Sequence, residues 1–79
     1  MKKQTYIAII FNSNGREIGF ERFACKKIET VRKNMIELFN NDLYRICNKD
    51  AAQIKVYATP DGYTMIPDPL AYWQVELNG

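Results

Sequence analysis

The alternation of apolar and polar residues predicts a β-hairpin at the start of the chain. Residues 5–11 are rich in β-branched and aromatic side chains, which favour strands. The pair Asn14 and Gly15 comes next, and these residue types tolerate the positive φ angles of a tight turn. In residues 16–23, Ile18 and Phe20 alternate with polar positions, which is the period of a half-buried strand.

The hydrophobic period then changes from two residues to 3.6, which predicts a helix that starts near Lys26. Its apolar stripe consists of Ile28, Val31, Met35, Leu38 and Phe39. Asp42 would fall inside that stripe, so we expect the helix to end or bend near residues 40–41. Residues 43–47 should add a further helical turn or two. Cys25 is a poor N-cap residue, so the helix start is weakly defined.

The second half of the chain predicts strands again. Residues 53–58 alternate as a third strand, and residues 59–62 have the Thr-Pro-Asp-Gly order that a β-turn favours. A short strand over 63–66 would stop at the following prolines, and residues 71–77 would close the sheet. At 79 residues the chain should be one domain, 1–79. The expected fold is α+β: a two-layer ββαββ domain, mainly antiparallel, with one main helix packed on one face.

A single helix covers one face of such a sheet, so the strand positions divide into two sets. We expect the helix to pack on Ile18, Phe20, Ile54, Val56, Trp73, Val75 and Leu77. The second face then contains Tyr6, Ile10, Tyr57 and Tyr72, among the polar residues Glu17, Glu21, Lys55, Gln74 and Glu76. The first strand is apolar on both sides, which is typical of a central strand that is covered on both sides.

Two interpretations of the second face stay open at this stage. Loops, the 43–47 segment or the proline-rich stretch over 59–71 could cover part of it. Alternatively, it could bind another protein or a second copy of the chain, because exposed apolar patches are often interaction sites. The 59–73 stretch adds large side chains, including Tyr63 and Met65, between turn-forming residues. Met65, Ile66 and Leu70 could plug one end of the core, or Tyr63 and Met65 could join the partner-binding surface.

The residue types needed for catalysis or metal binding are scarce. The chain has no histidine, and its one serine, Ser13, lies in the predicted hairpin turn without a base to activate it. Asp61 and Asp68 are more typical of solubilising turn residues than of a carboxylate pair. The four glycines are scattered and form no phosphate-binding loop. We therefore expect no enzyme activity, no metal site and no cofactor.

Cysteine content and hydropathy favour a cytoplasmic protein without a membrane partner. Cys25 and Cys47 are too few to staple a small secreted fold, so we expect two thiols in a reducing compartment. The apolar run after the first residues is too short for a signal peptide or a membrane span. The abundance of lysine, asparagine, isoleucine and tyrosine is compatible with an AT-rich bacterial or phage genome.

Nucleic acid is the alternative partner. Lys26, Lys27, Arg32 and Lys33 cluster near the helix start and could contact phosphates, while sheet tyrosines could stack on unpaired bases. The net charge of +2 is mild, and Glu29 and Glu37 flank Lys33 at the spacing of an ordinary solvated helix face. The sequence therefore predicts a small non-catalytic protein-binding module, regulator or inhibitor, with nucleic-acid binding as the alternative.

Overall fold

A computed structural model of the chain describes residues 4–67 and 72–75. Within these residues, five strands and two helices follow one another in the order β1 (Gln4–Asn12), β2 (Glu17–Cys25), α1 (Ile28–Phe39), α2 (Asp42–Cys47), β3 (Ala51–Ala58), β4 (Ile66–Pro67) and β5 (Trp73–Gln74). The α+β class, the antiparallel sheet and the single main helix are confirmed.

The sheet has β1 in its interior and β2 at one edge. Its strand order is β2-β1-β3-β4, and β5 also pairs with β3. Each of these pairings is antiparallel. The interior position of β1 agrees with the central strand that its apolar residues on both sides predicted.

The first hairpin forms where it was predicted, with the four residues 13–16 between its strands. The side-chain oxygen of Asn12 accepts hydrogen bonds from the backbone N–H groups of Asn14 and Arg16 at 3.0 and 2.9 Å. Gly15 has a φ of 79°, whereas Asn14 does not adopt positive φ. The pairing register shifts beside Ile18, so this hairpin has a bulge that the tight-turn prediction did not include.

Helix α1 packs on the sheet through the stripe that the sequence predicts. Val31, Met35 and Phe39 are buried, and the helix ends at the asparagines as expected. Lys27 is the N-cap residue, and within the described part of the chain no side-chain hydrogen bond caps this helix. Asn41 instead caps α2, because its side-chain oxygen accepts a hydrogen bond from the backbone N–H of Tyr44 at 3.1 Å.

The predicted division of the two sheet faces is wrong for β1 and β2. Ile10 lies opposite Ile54 of β3, whereas Phe20 of β2 lies opposite Ile9. Directly paired residues share a face, and consecutive residues of a strand point to opposite faces. Ile54 and Phe20 therefore cannot both pack on the helix, and the structure buries Ile54 while Phe20 is 52% exposed.

The helix-covered core also corrects several individual positions. Its buried members are Tyr6, Ala8, Ile10, Cys25, Val31, Met35, Phe39, Ala51, Ile54 and Val56. Ile18, expected in this core, is exposed. Trp73 and Val75 pack against it, as predicted, but are only half-buried. Leu77 and Glu76 lie outside the described residues. None of the helices in the described ranges is both long and apolar enough to span a membrane.

Candidate binding face

The side of the sheet opposite α1 carries a continuous group of aromatic, aliphatic and basic side chains. We call it the helix-free face, because neither described helix packs on it. Strand register and ring contacts assign to it Ile7, Ile9, Phe11, Phe20, Arg22, Lys55, Tyr57 and Tyr72. All but Tyr72 come from β1, β2 and β3, and Tyr72 immediately precedes β5.

Two isoleucines of the central strand form the floor of this face. Ile7 and Ile9 are buried although they point away from the helix-covered core. Ile7 lies between Arg22 of β2 and Tyr57 of β3, its cross-strand partners on either side. Long side chains from the flanking strands can cover a central aliphatic residue with their apolar parts, which leaves their polar ends at the surface.

The two cations of the face contact its aromatic rings. The Nζ atom of Lys55 lies 5.0 Å from the ring centroid of Phe11 and 5.7 Å from that of Tyr72. The guanidinium carbon of Arg22 lies 5.8 Å from the ring centroid of Phe20. Each distance is within the range of a cation–π attraction, so the charges are held against the rings.

The ring of Tyr72 connects the 72–75 segment to the rest of the helix-free face. The ring centroids of Tyr57 and Tyr72 are 6.1 Å apart, and the planes are inclined by 54°. Such tilted pairs are attractive, and they restrict both side chains. These two tyrosines are on the face where the sequence analysis placed them.

The other residues of the predicted partner-binding set lie elsewhere. Tyr6 and Ile10 are buried in the helix-covered core, with 7% and 1% of their surfaces exposed, so neither belongs to the helix-free face. Both residues were predicted on the second face because the two sides of β1 were assigned the wrong way round. Tyr63 and Met65 are exposed in the loop between β3 and β4. Met65 and Ile66 are both exposed and so do not plug the core, and Leu70 lies outside the described residues.

The loop that holds Tyr63 is organised by a carboxylate. Asp61 accepts hydrogen bonds from the backbone N–H groups of Tyr63 and Thr64 at 2.8 and 2.6 Å. It also accepts one from the Thr64 hydroxyl at 2.6 Å. This hydroxyl bond first, and then the backbone bonds, lower the pKa of Asp61 to about 2. Ile66 and Pro67 then form β4, which pairs with β3 and extends the sheet.

The basic residues of the nucleic-acid alternative do not share the helix-free face. Arg32 belongs to α1, and its guanidinium carbon lies 5.6 Å from the ring centroid of Trp73, a side chain of the core side. Lys33 is exposed on the same helix, and Lys26 and Lys27 lie between β2 and α1. Tyr57 and Tyr72 are therefore on the opposite side of the sheet from the cations of α1.

Acidic residues are also distributed differently from the prediction. Glu21 pairs with Ala8 on the helix side, where one of its oxygens lies 3.5 Å from the hydroxyl of Tyr44. Burial, followed by the charge of Glu21 and this contact, raises the pKa of Tyr44 to about 12. Glu17 lies opposite Phe11 at the hairpin end of the helix-free face.

The alternation pattern did not identify Phe11, Phe20 and Arg22 as members of this face. The predicted hairpin could have indicated Phe20 and Arg22, because antiparallel pairing across its turn places them opposite Ile9 and Ile7 of β1. Within the described ranges, no group of three or more histidine, cysteine or acidic side chains could hold a metal ion.

The fold and this face define the chain as a small α+β domain with an aromatic and basic sheet surface. No protein-family model, curated protein or solved structure matches it.

Proposed function

We propose that this chain is a small non-catalytic protein-binding module, of the regulator or inhibitor type, and that the helix-free face is its contact surface. The observation that carries this proposal is the group of four rings, Phe11, Phe20, Tyr57 and Tyr72, placed with Arg22 and Lys55 over an aliphatic floor. Aromatic and arginine side chains are the residues most enriched at the energetic centres of protein interfaces.

Charge indicates what kind of protein surface fits this face. Arg22 and Lys55 lie within the face, and Glu17 is at its hairpin end. A second copy of the chain in a face-to-face dimer would bring like cations together, which is unfavourable. The arrangement favours a partner whose surface carries carboxylates between apolar side chains.

Single-stranded nucleic acid is the second candidate, favoured by one specific observation. Aromatic rings interleaved with cations can stack on bases and contact phosphates, and Lys55 contacts two rings at once. Against this candidate, the cations Arg32 and Lys33 belong to the helix layer and add no positive charge to the face. Protein binding therefore remains the better-supported function.

A peptide display selection on the immobilised chain tests the proposal. We expect enriched sequences that combine acidic with aromatic or aliphatic residues, and we expect a synthetic copy of the strongest one to bind in solution. A fluorescein-labelled oligothymidylate of about fifteen nucleotides serves as the competing probe. Tight oligonucleotide binding that weakens steeply with salt, without any peptide enrichment, would overturn the protein-binding proposal in favour of nucleic acid.

Matched variants locate the contact surface. Phe20→Ala, Tyr57→Ala and Tyr72→Ala should each weaken binding of the selected peptide by about 1–3 kcal/mol. Lys55→Gln should weaken it as well, since it removes a cation from the face. The controls are Ile36→Ala and Lys33→Gln, which alter an exposed apolar residue and a cation of α1. Equal losses in controls and face variants would contradict the assignment, as would a concentration-dependent dimer that Lys55→Gln strengthens.

A further inference from the structure

A second surface, separate from the helix-free face, lies on the other side of the sheet. A groove of about 810 Å³ runs between the edge strand β2, helix α1 and helix α2. This volume is within the range of about 300–1,000 Å³ that is typical of ligand sites. Its apolar lining includes Phe23, Leu38, Leu43 and Tyr44, and its acidic lining consists of Glu21 and Glu37.

The strand that borders this groove has an unpaired edge. Strand β2 pairs with β1 on one side, and among the described residues no strand pairs with its other side. An edge strand presents outward-pointing N–H and C=O groups that an additional strand can use. The strand is nine residues long, so there is room for an extended peptide beside it.

The charged side chains that line the groove are negative. Glu21 comes from β2 and Glu37 from α1, and no lysine or arginine is among the described residues that line the groove. A carboxylate near the strand edge and another across the groove favour a partner with basic side chains. The nearby hydroxyl of Tyr44 does not offset their negative charge.

The apolar wall of the groove is held in an exposed position. Leu43 is 69% exposed, although α2 is anchored beside it by the cap of Asn41 and by the contact of Tyr44 with Phe39. A large aliphatic side chain on a fixed element offers apolar surface without needing to become ordered on binding. Leu43 therefore provides a contact for an apolar side chain of a ligand.

We propose that this groove binds an extended peptide segment of a partner protein, which adds to β2 as a further strand. Alternate residues of an extended peptide point to one side of the sheet, so every second side chain would enter the groove. The peptide side chains that enter the groove should alternate between apolar and basic, because the lining is apolar and carries two glutamates. This docking mode uses a surface distinct from the helix-free face and does not depend on the function proposed above.

The probe is a labelled peptide, Ac-Thr-Leu-Thr-Lys-Thr-Leu-Thr-NH2, titrated against the whole chain and followed by fluorescence polarisation and amide NMR. Its leucines and lysine are on one side when the peptide is extended. We expect saturable binding, shifts centred on β2, α1 and α2, and slowed hydrogen exchange at β2 amides. Replacing the peptide lysine by glutamate should abolish binding.

Two pairs of matched variants test the residues of the groove. Glu37→Lys should weaken peptide binding about fivefold, whereas Glu29→Lys, the same charge change on α1 outside the groove, should leave it unchanged. Leu43→Ser should weaken binding about tenfold. Ile46→Ser is its control, because Ile46 is equally exposed on α2 and does not line this groove.

Backbone methylation of the peptide tests strand addition directly. N-methylation of the amides that would point at β2 should abolish binding, and N-methylation of the intervening amides should not. Equal effects of both sets would overturn the proposal, as would NMR shifts centred on Lys55 and Tyr57 of β3. A β2-to-β2 dimer of the chain that excludes the peptide would overturn it in favour of a second copy. Tyr57→Ala, which alters the helix-free face on β3, should leave peptide binding intact, so failure here is distinguishable from failure of the proposed function.

Discussion

The rings of Phe39 and Tyr44 meet edge to face, with their centroids 5.0 Å apart and their planes inclined by 85°. This contact joins the last turn of α1 to the first turn of α2. On its other side, the hydroxyl of Tyr44 approaches Glu21 of β2. One half-buried tyrosine thus connects the short second helix to both the main helix and the edge strand.

The alkaline stability of the protein should depend on this tyrosine. The folded pKa of Tyr44 is about 12, raised by burial and then by Glu21, against an unfolded value of 10.0. A group with a raised folded pKa contributes stability that is fully present below the unfolded pKa and is lost as pH rises through the folded pKa. We therefore expect the wild type to lose stability between pH 10 and 12 more steeply than Tyr44→Phe does.

Urea unfolding on both sides of that window measures the difference. Other tyrosines and lysines titrate there too, so the relevant quantity is the difference between the wild type and Tyr44→Phe at each pH. Parallel losses in the two proteins would show that Tyr44 ionises as freely in the folded state as in the unfolded chain.

The hairpin turn should depend on the backbone freedom of Gly15. Its φ is 79°, and among the described residues no atom lies within 4 Å of a Cβ added there. Gly15→Val should therefore destabilise the protein by more than about 1 kcal/mol through backbone strain alone. Gly19→Ala is the matched control, since Gly19 has no positive φ and an added Cβ would make only ordinary contacts. Equal unfolding midpoints for Gly15→Val and the wild type would contradict this.

The elements of the fold could be predicted because each depends on local patterns. The change of period near Lys26 located α1, and Asp42, which interrupts the apolar stripe, located its end. The Pro-Asp-Gly order located the turn after β3, where the backbone N–H of Gly62 bonds to the carbonyl of Thr59 at 3.2 Å. These signals act within a few residues, so a single sequence is sufficient to identify them.

The assignment of the two faces could not be obtained in the same way. Each strand of a sheet has its own alternation, but which face meets the helix depends on pairing between distant residues, such as Ile10 with Ile54. A displacement of one residue exchanges the faces of a strand. Phe20 and Ile54 fall in one predicted set because both are apolar and alternate with polar residues. The pattern therefore assigns Tyr6 and Ile10 to the binding face instead of Phe20.

The loop after β3 should respond to acid through Asp61. Its pKa is lowered from 3.8 to about 2 by the hydrogen bonds from Thr64 and Tyr63. A depressed folded pKa contributes stability that is present above the pKa of the unfolded chain. This stability is lost as pH falls through about 2. Thr64→Ala removes the hydroxyl bond, which is the largest cause, so the pKa of Asp61 should rise. NMR titration of its carboxyl carbon measures this, and an unchanged midpoint would mean that the backbone bonds alone set the pKa.

The two faces of the sheet should differ sharply in their tolerance of truncation. Ile10 is 1% exposed between the sheet and α1, so Ile10→Ala should leave a cavity and cost about 2–5 kcal/mol in unfolding free energy. Phe20 is larger but half of its surface is in water, and its ring contacts Arg22 rather than the helix-covered core. Phe20→Ala should therefore cost well below the about 3–5 kcal/mol of a fully buried phenylalanine. Chemical denaturation of both variants gives the comparison, and a larger loss for Phe20→Ala than for Ile10→Ala would mean that β2 faces the opposite way.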